Sequence, residues 1–157
     1  MNRIIVLVIV LAFTIMAFGQ DTTRTDTAKV KTAKDPATAS PHPADKGIGP
    51  VKSVTLGPIN KEMAEKGKSL FQSRCSSCHA MNHKVVGPPL GNVANQRTPE
   101  FIMNMLLNTS EMENQDAIVK KLLNEYHIPM PDLSLTHDQA RELLEYLRLE
   151  ASKQSKK

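Results

Sequence analysis

The chain has few aromatic residues and few cysteines. Its 157 residues include no tryptophan, two tyrosines, four phenylalanines and two cysteines. Because structural zinc sites usually draw ligands from two separated pairs, a single cysteine pair disfavours that class. The segments around the cysteines read as helix without a strongly β-rich run, which disfavours a thioredoxin-like dithiol.

The central part of the chain also lacks an excess of charge of either sign. Residues 58–157 carry thirteen Lys and Arg against twelve Asp and Glu, a net charge of +1 that becomes −2 without the three lysines of the tail. The sequence pI near 9.1 therefore comes mainly from the two ends. This balance indicates no dedicated nucleic-acid or membrane-surface partner.

The N-terminus has the pattern of an export signal. An apolar run over residues 4–18 follows Arg3 and ends before Gly19, a small residue that a signal peptidase accepts. As a helix the run would extend about 22 Å, against a hydrocarbon core of about 30 Å. We therefore expect residues 1–19 to be a signal peptide cleaved after Gly19, with a retained anchor as the alternative.

Composition then changes twice along the chain. Residues 20–57 are mostly Thr, Ala, Lys, Asp and Pro with almost no bulky apolar residue, which predicts a disordered spacer. Residues 58–152 predict one folded domain, and residues 153–157 form a basic tail.

Helix start signals recur through the folded region. Asn60 fits an N-cap, Thr98 fits another with Pro99 at the first helical position, and capping boxes fit residues 110–113 and 136–139. The second capping box would open a final helix with one apolar face: Ala140, Leu143, Leu144, Leu147 and Ala151. The first would open a helix that carries Ile118, Leu122 and Tyr126. We predict an all-α fold of about four to five helices.

The strongest chemical signal is Cys75–Ser76–Ser77–Cys78–His79. Two thiols two residues apart, followed at once by histidine, are what covalent attachment of a c-type haem requires. His79 can then supply the proximal axial ligand to the iron. The alternatives are the thioredoxin-like dithiol, a zinc site that adds His83, and a plain structural disulfide. With only four aromatic residues in this region, a buried macrocycle would be the centre of the core.

A second iron ligand is expected from a downstream loop. Met130 lies between Pro129 and Pro131, two residues that restrict the backbone and can hold a thioether in one place. Methionine paired with histidine is a standard ligand set for cytochromes c. Met112 is the main rival, and His127 and His137 are weaker ones.

Over residues 58–152 the chain resembles a single-haem class I cytochrome c of the bacterial type. The resemblance is carried by the motif, by Gly67 and Phe71 before it, and by three later segments: residues 87–90, 130–131 and 144–147. It implies one haem c, attached through Cys75 and Cys78.

The resemblance also implies roles for individual residues. Gly67 and Phe71 would pack against Tyr146, the carbonyl of Pro88 would bond the His79 imidazole, and Arg97 would face a haem propionate. The chain departs from the mitochondrial carriers in having no tryptophan near the propionates and few lysines around the motif.

We expect an exported carrier of single electrons, not an enzyme, with iron held by His79 and Met130. It would be monomeric, periplasmic, and in transient contact with redox donors and acceptors. A membrane contact would arise only if the N-terminal segment is retained, as a tether to the outer face of the inner membrane. The alternatives are a tethered haem subunit of one oxidoreductase, and a sensor or peroxidase-like protein in which Met130 leaves the iron.

Overall fold

A computed structural model describes residues 45–156 as a helical unit, with no strand in this range. Six helices follow in order: α1 (Lys61–Arg74), α2 (Val93–Gln96), α3 (Pro99–Leu107), α4 (Thr109–Gln115), α5 (Ala117–Tyr126) and α6 (His137–Gln154). The all-α prediction is confirmed. The expected four to five helices become six, because α2 is a four-residue helix and the region predicted as one helix from residue 110 is two.

The first and last helices are bounded by the predicted caps. The Asn60 side chain accepts the N–H of Met63, and Thr136 forms a capping box with Gln139. The apolar face predicted for α6 is buried, and α6 continues to Gln154, two residues into the predicted tail.

α1 and α6 cross at Gly67. A Cβ atom at this position would overlap the backbone carbonyl oxygen of Glu142 and lie 3.0 Å from the nitrogen of Leu143. Close by, the rings of Phe71 and Tyr146 pack with centroids 5.6 Å apart and planes tilted by 57°. The packing of Gly67 and Phe71 against the last helix, which the resemblance implied, is confirmed.

The middle of the chain corrects one predicted helix start. Thr98 caps α3, as predicted, but residues 110–113 lie inside α4 and form no capping box. Asp116 instead is the N-cap of α5, and its carboxylate accepts the N–H groups of Ile118 and Val119. The chain therefore bends at Asp116, and α4 and α5 pack as separate helices.

Residues 45–60 form a strap, without helix or strand, across α3, α4 and α6. Val51 is buried, and both its N–H and its carbonyl bond to the buried side chain of Asn104 at 2.9 Å. The predicted disorder is wrong for residues 45–57, because polar side chains of the helices satisfy the strap's backbone. The predicted signal peptide and residues 20–44 of the predicted spacer lie outside the described residues.

A buried carboxylate fixes the strap to α6. Glu145 is only 1% exposed and accepts bonds from Arg141 at 2.9 Å, Arg148 at 2.8 Å and the N–H of Asn60 at 3.1 Å. The two arginines also donate to strap carbonyls, those of Thr55 and Gly57. Each of these charges is thereby compensated, which a buried ion pair requires.

No helix within residues 45–156 is both long and apolar enough to cross a bilayer.

We predict that Gly67→Ala destabilises the protein although alanine favours helix over glycine by about 1 kcal/mol. The added methyl meets backbone, which cannot rotate away, so the helices must separate at a cost of about 1–3 kcal/mol. Thermal unfolding of the haem-loaded protein, followed by circular dichroism, measures the change.

Gly57→Ala is the matched control, because no atom lies within 4 Å of a Cβ there. Its melting temperature should stay near that of the wild type. A Gly67→Ala protein that melts at or above the wild-type temperature would contradict the proposed crossing constraint.

Candidate functional site

The Cys75–His79 motif folds as a tight turn at the end of α1. Cys75 is the C-cap of the helix, and its carbonyl accepts the N–H groups of Cys78 at 3.0 Å and His79 at 2.9 Å. The loop that follows returns to the turn, since Val86 and Gly87 donate to the carbonyl of Cys78. Both thiols and the imidazole consequently line one cleft.

The loop that follows the motif holds the His79 ring in place. Its Nδ1 lies 2.9 Å from the carbonyl oxygen of Pro88, which can only accept, so Nδ1 carries the proton. The other nitrogen, Nε2, is then the one with a free lone pair. Gly87 packs so closely on the ring that a Cβ atom would overlap His79 Cε1. The hydrogen bond matches the role that the resemblance gave Pro88, while haem contact by both residues stays a prediction.

The cleft is walled mainly by apolar side chains from α1, α3, α5, α6 and the loop before α6. They include Phe71, Phe101, Ile102, Met105, Leu106, Val119, Leu122, Leu123, Ile128, Pro129, Pro131, Leu143 and Leu147. The side chains with polar groups on the wall, besides the motif, are Arg97, Glu113 and Tyr126. A space with this lining suits a large, flat, mostly apolar ligand.

Arg97 is the C-cap of α2 and lies at the cleft wall. Its guanidinium stacks over the Phe101 ring at 5.5 Å, and Nη1 donates to the carbonyl of Gln96 at 3.3 Å. It is the only lysine or arginine among the described residues that line the main cleft. Its pairing with a haem propionate stays a prediction.

Met130 lines the same cleft as His79, and with it a smaller hollow beside both cysteines. The backbone N–H of Met130 donates to Glu113 Oε1 at 2.6 Å. Sequence reasoning missed Glu113, because it assigned this residue to a capping box. No local signal could have found the bond, since seventeen positions separate the two residues.

Met112, the rival ligand, is fully buried in a second core cluster with Phe101 and Val119. Its Sδ accepts the N–H of Ile48 at 2.9 Å. Met112 does not line the cleft, and neither do His127 and His137.

The structure also disfavours the alternative interpretations of the Cys75–His79 motif. No disulfide joins Cys75 and Cys78. Burial raises the pKa of the Cys75 thiol, which opposes the thiolate form that a redox dithiol needs. Within residues 45–156 no three His, Cys, Asp or Glu side chains are grouped to hold a metal ion, which disfavours a zinc site.

The donor set fits a covalently bound haem: two thiols at the wall, an oriented imidazole, and an apolar space enclosed by helices. The family model for cytochrome c matches residues 64–149. The chain belongs to the cytochrome c family. It is a class I c-type cytochrome, and its cofactor is haem c attached through Cys75 and Cys78.

Solved structures agree with this assignment. Cytochrome c from Rhodothermus marinus is 40% identical with a TM-score of 0.66, over 67% of this chain and 91% of that one. An engineered form of that cytochrome bound to a carbene intermediate is also 40% identical, with a TM-score of 0.62 over 66% of this chain and 91% of that one.

A more distant relative is the cytochrome c domain of the pp3183 protein from Pseudomonas putida. It is 26% identical with a TM-score of 0.50, over 57% of this chain and 91% of that one. No curated protein matches the chain significantly.

We predict that the haem of this cytochrome survives acid–acetone extraction when the protein is made in a host with haem-attachment machinery. A thioether bond is not broken by acid, whereas haem held only by axial ligands is released. Replacing both Cys75 and Cys78 with alanine should make all bound haem extractable, as read from the absorbance of the two phases.

Ser76→Ala is the control in the same turn, because this exposed hydroxyl bonds only to the helix carbonyl of Gln72. It should retain its haem like the wild type. Free extraction of haem from the wild-type protein would contradict covalent attachment.

Proposed function

We propose that this cytochrome carries single electrons between redox proteins outside the cytoplasm, with its iron held by His79 and Met130. The bound iron supplies the one-electron chemistry. The protein's residues hold the two ligands in place and keep the site apolar, so that the site changes little between the two oxidation states. On this proposal the protein transforms no substrate.

The observation that carries the proposal is the shared cleft of His79 and Met130. Both residues also line the small hollow beside Cys75 and Cys78, so a thioether and an imidazole are available to the same space. A thioether is a soft, weakly basic ligand that favours the ferrous state, which suits a carrier of raised potential.

The rival ligands have other structural roles. Met112 is buried in the second core cluster, where its Sδ accepts the N–H of Ile48 from the strap. His127 ends α5 in the left-handed conformation at φ 60°, and its side chain is exposed. His137 is exposed at the first position of α6. These roles favour Met130 over all three.

The lining of the cleft favours a carrier over an enzyme. General acid–base catalysis needs a titratable group within hydrogen-bond reach of a substrate. The carboxylate at the cleft wall, Glu113, already accepts the backbone N–H of Met130. Arg97 is stacked on Phe101.

The remaining parts of the proposal rest on the sequence. Export follows from the pattern of residues 1–19, and an exported protein whose two cysteines both hold haem has no free thiol to oxidise. The near-neutral charge of residues 58–157 favours transient, weakly steered contacts with redox proteins rather than nucleic acid. We propose a monomer, bound to a membrane only if its N-terminal segment is retained.

Matched leucine variants test the ligand. Met130→Leu keeps the side-chain volume and removes the sulfur. It should abolish the near-infrared charge-transfer band of sulfur-ligated ferric haem, lower the reduction potential and open the ferrous iron to carbon monoxide. Absorption spectra and a redox titration measure all three.

Met112→Leu makes the same chemical change in the closed core, where it also leaves the Ile48 N–H without its acceptor, at a cost of about 1–3 kcal/mol. It should leave the band, the potential and carbon monoxide binding unchanged. If Met112→Leu removes the band and Met130→Leu retains it, the ligand assignment is wrong. If the wild type already binds carbon monoxide readily, a sensor or enzyme replaces the carrier.

A further inference from the structure

Glu113 connects α4 to the loop that carries Met130. Its side chain is half-buried, and it is the only carboxylate among the described residues that line the cleft. The bond from the Met130 N–H to Glu113 Oε1 is short, at 2.6 Å, as expected where the acceptor is a carboxylate.

This N–H is the only backbone donor that residues 129–131 possess, because proline has none. The loop between α5 and α6 runs for ten residues, from His127 to Thr136. On one side of Met130, His127 donates back to Leu123; on the other, Ser134 donates to Asp132 within the loop itself. The Glu113 bond thus holds the Met130 backbone to a helix.

The segment of α4 that carries Glu113 is anchored in the core. Its neighbour Met112 is fully buried and takes the N–H of Ile48 from the strap. Gly47 of the strap lies against the same methionine, where a Cβ atom would come within 2.7 Å of Met112 Cε. α4 is therefore held by the strap on one side and holds the Met130 loop on the other.

We propose that Glu113 is a positioning residue for Met130. This inference rests on the proposed His79 and Met130 ligation. When the thioether leaves the iron, the Glu113 bond keeps the loop backbone near its ligating position, which lowers the entropy cost of return. Glu113 thereby affects how readily a small molecule can take the place of Met130 on the iron.

The experiment compares three variants of the full, haem-loaded protein. Glu113→Ala removes the acceptor, and Glu113→Gln keeps a carbonyl oxygen that can accept the same N–H. Glu111→Ala is the control, an exposed acid on the same helix whose carboxylate bonds the Asn108 side chain. The readouts are the carbon monoxide binding rate of ferrous protein and the temperature at which the ferric near-infrared band disappears, with helix content followed in parallel.

In Glu113→Ala, carbon monoxide binding should accelerate about tenfold, as expected for the loss of one hydrogen bond to a charged acceptor. Its near-infrared band should disappear at a temperature where helix content is unchanged, which separates loop release from unfolding. Glu111→Ala should behave nearly as the wild type, and Glu113→Gln should lie between the wild type and Glu113→Ala, because a neutral carbonyl accepts a weaker hydrogen bond than a carboxylate.

Each other outcome overturns a defined part of the argument. If Glu113→Ala keeps the wild-type rate and band, or if Glu113→Gln is as impaired as Glu113→Ala, the positioning role is wrong while the ligation stands. If the wild-type protein has no near-infrared band, the ligation itself is wrong and the positioning role fails with it.

Discussion

The contact between the backbones of α1 and α6 at Gly67 determines where the haem motif can lie. α1 ends directly at Cys75, so the position of this helix against α6 fixes the distance from the thiols to the cleft wall formed by Leu143 and Leu147. A side chain at position 67 would push the helices apart and widen the space behind the motif. The packed rings of Phe71 and Tyr146 then prevent the two helices from sliding along each other.

A second constraint comes from the strap, whose backbone groups are satisfied by side chains far away in sequence. Asn104, Glu100 and Glu145 accept its N–H groups, and arginines of α6 donate to its carbonyls. These buried polar groups would be costly if left unpaired, so strap and helices stabilise each other. The strap extends the folded unit beyond the helices that enclose the cleft, and it closes the core around Met112.

The sequence predicted what local chemistry controls. The caps at Asn60, Thr98 and Thr136, the apolar face of α6 and the haem motif all depend on residues a few positions apart. The sequence-based prediction was wrong where contacts between distant residues determine the structure. Residues 45–57 have the composition of a disordered segment, but side chains about 50 to 90 positions away hold them in order. Glu113 matched a capping pattern locally, but its partner Met130 lies on another element.

The two sides of the site differ in how firmly the chain holds them. On the His79 side, the proposed ligand belongs to the turn that carries both cysteines, and Pro88 and Gly87 hold its ring in place. On the Met130 side, the proposed ligand lies between two prolines in a loop whose backbone is held to α4 through one side-chain bond. Segments with few backbone hydrogen bonds open at lower free energy than packed helices. On the proposed His79 and Met130 ligation, opening of the site should therefore begin at Met130, and sequence changes in α4 would alter access to the iron without disturbing the haem attachment.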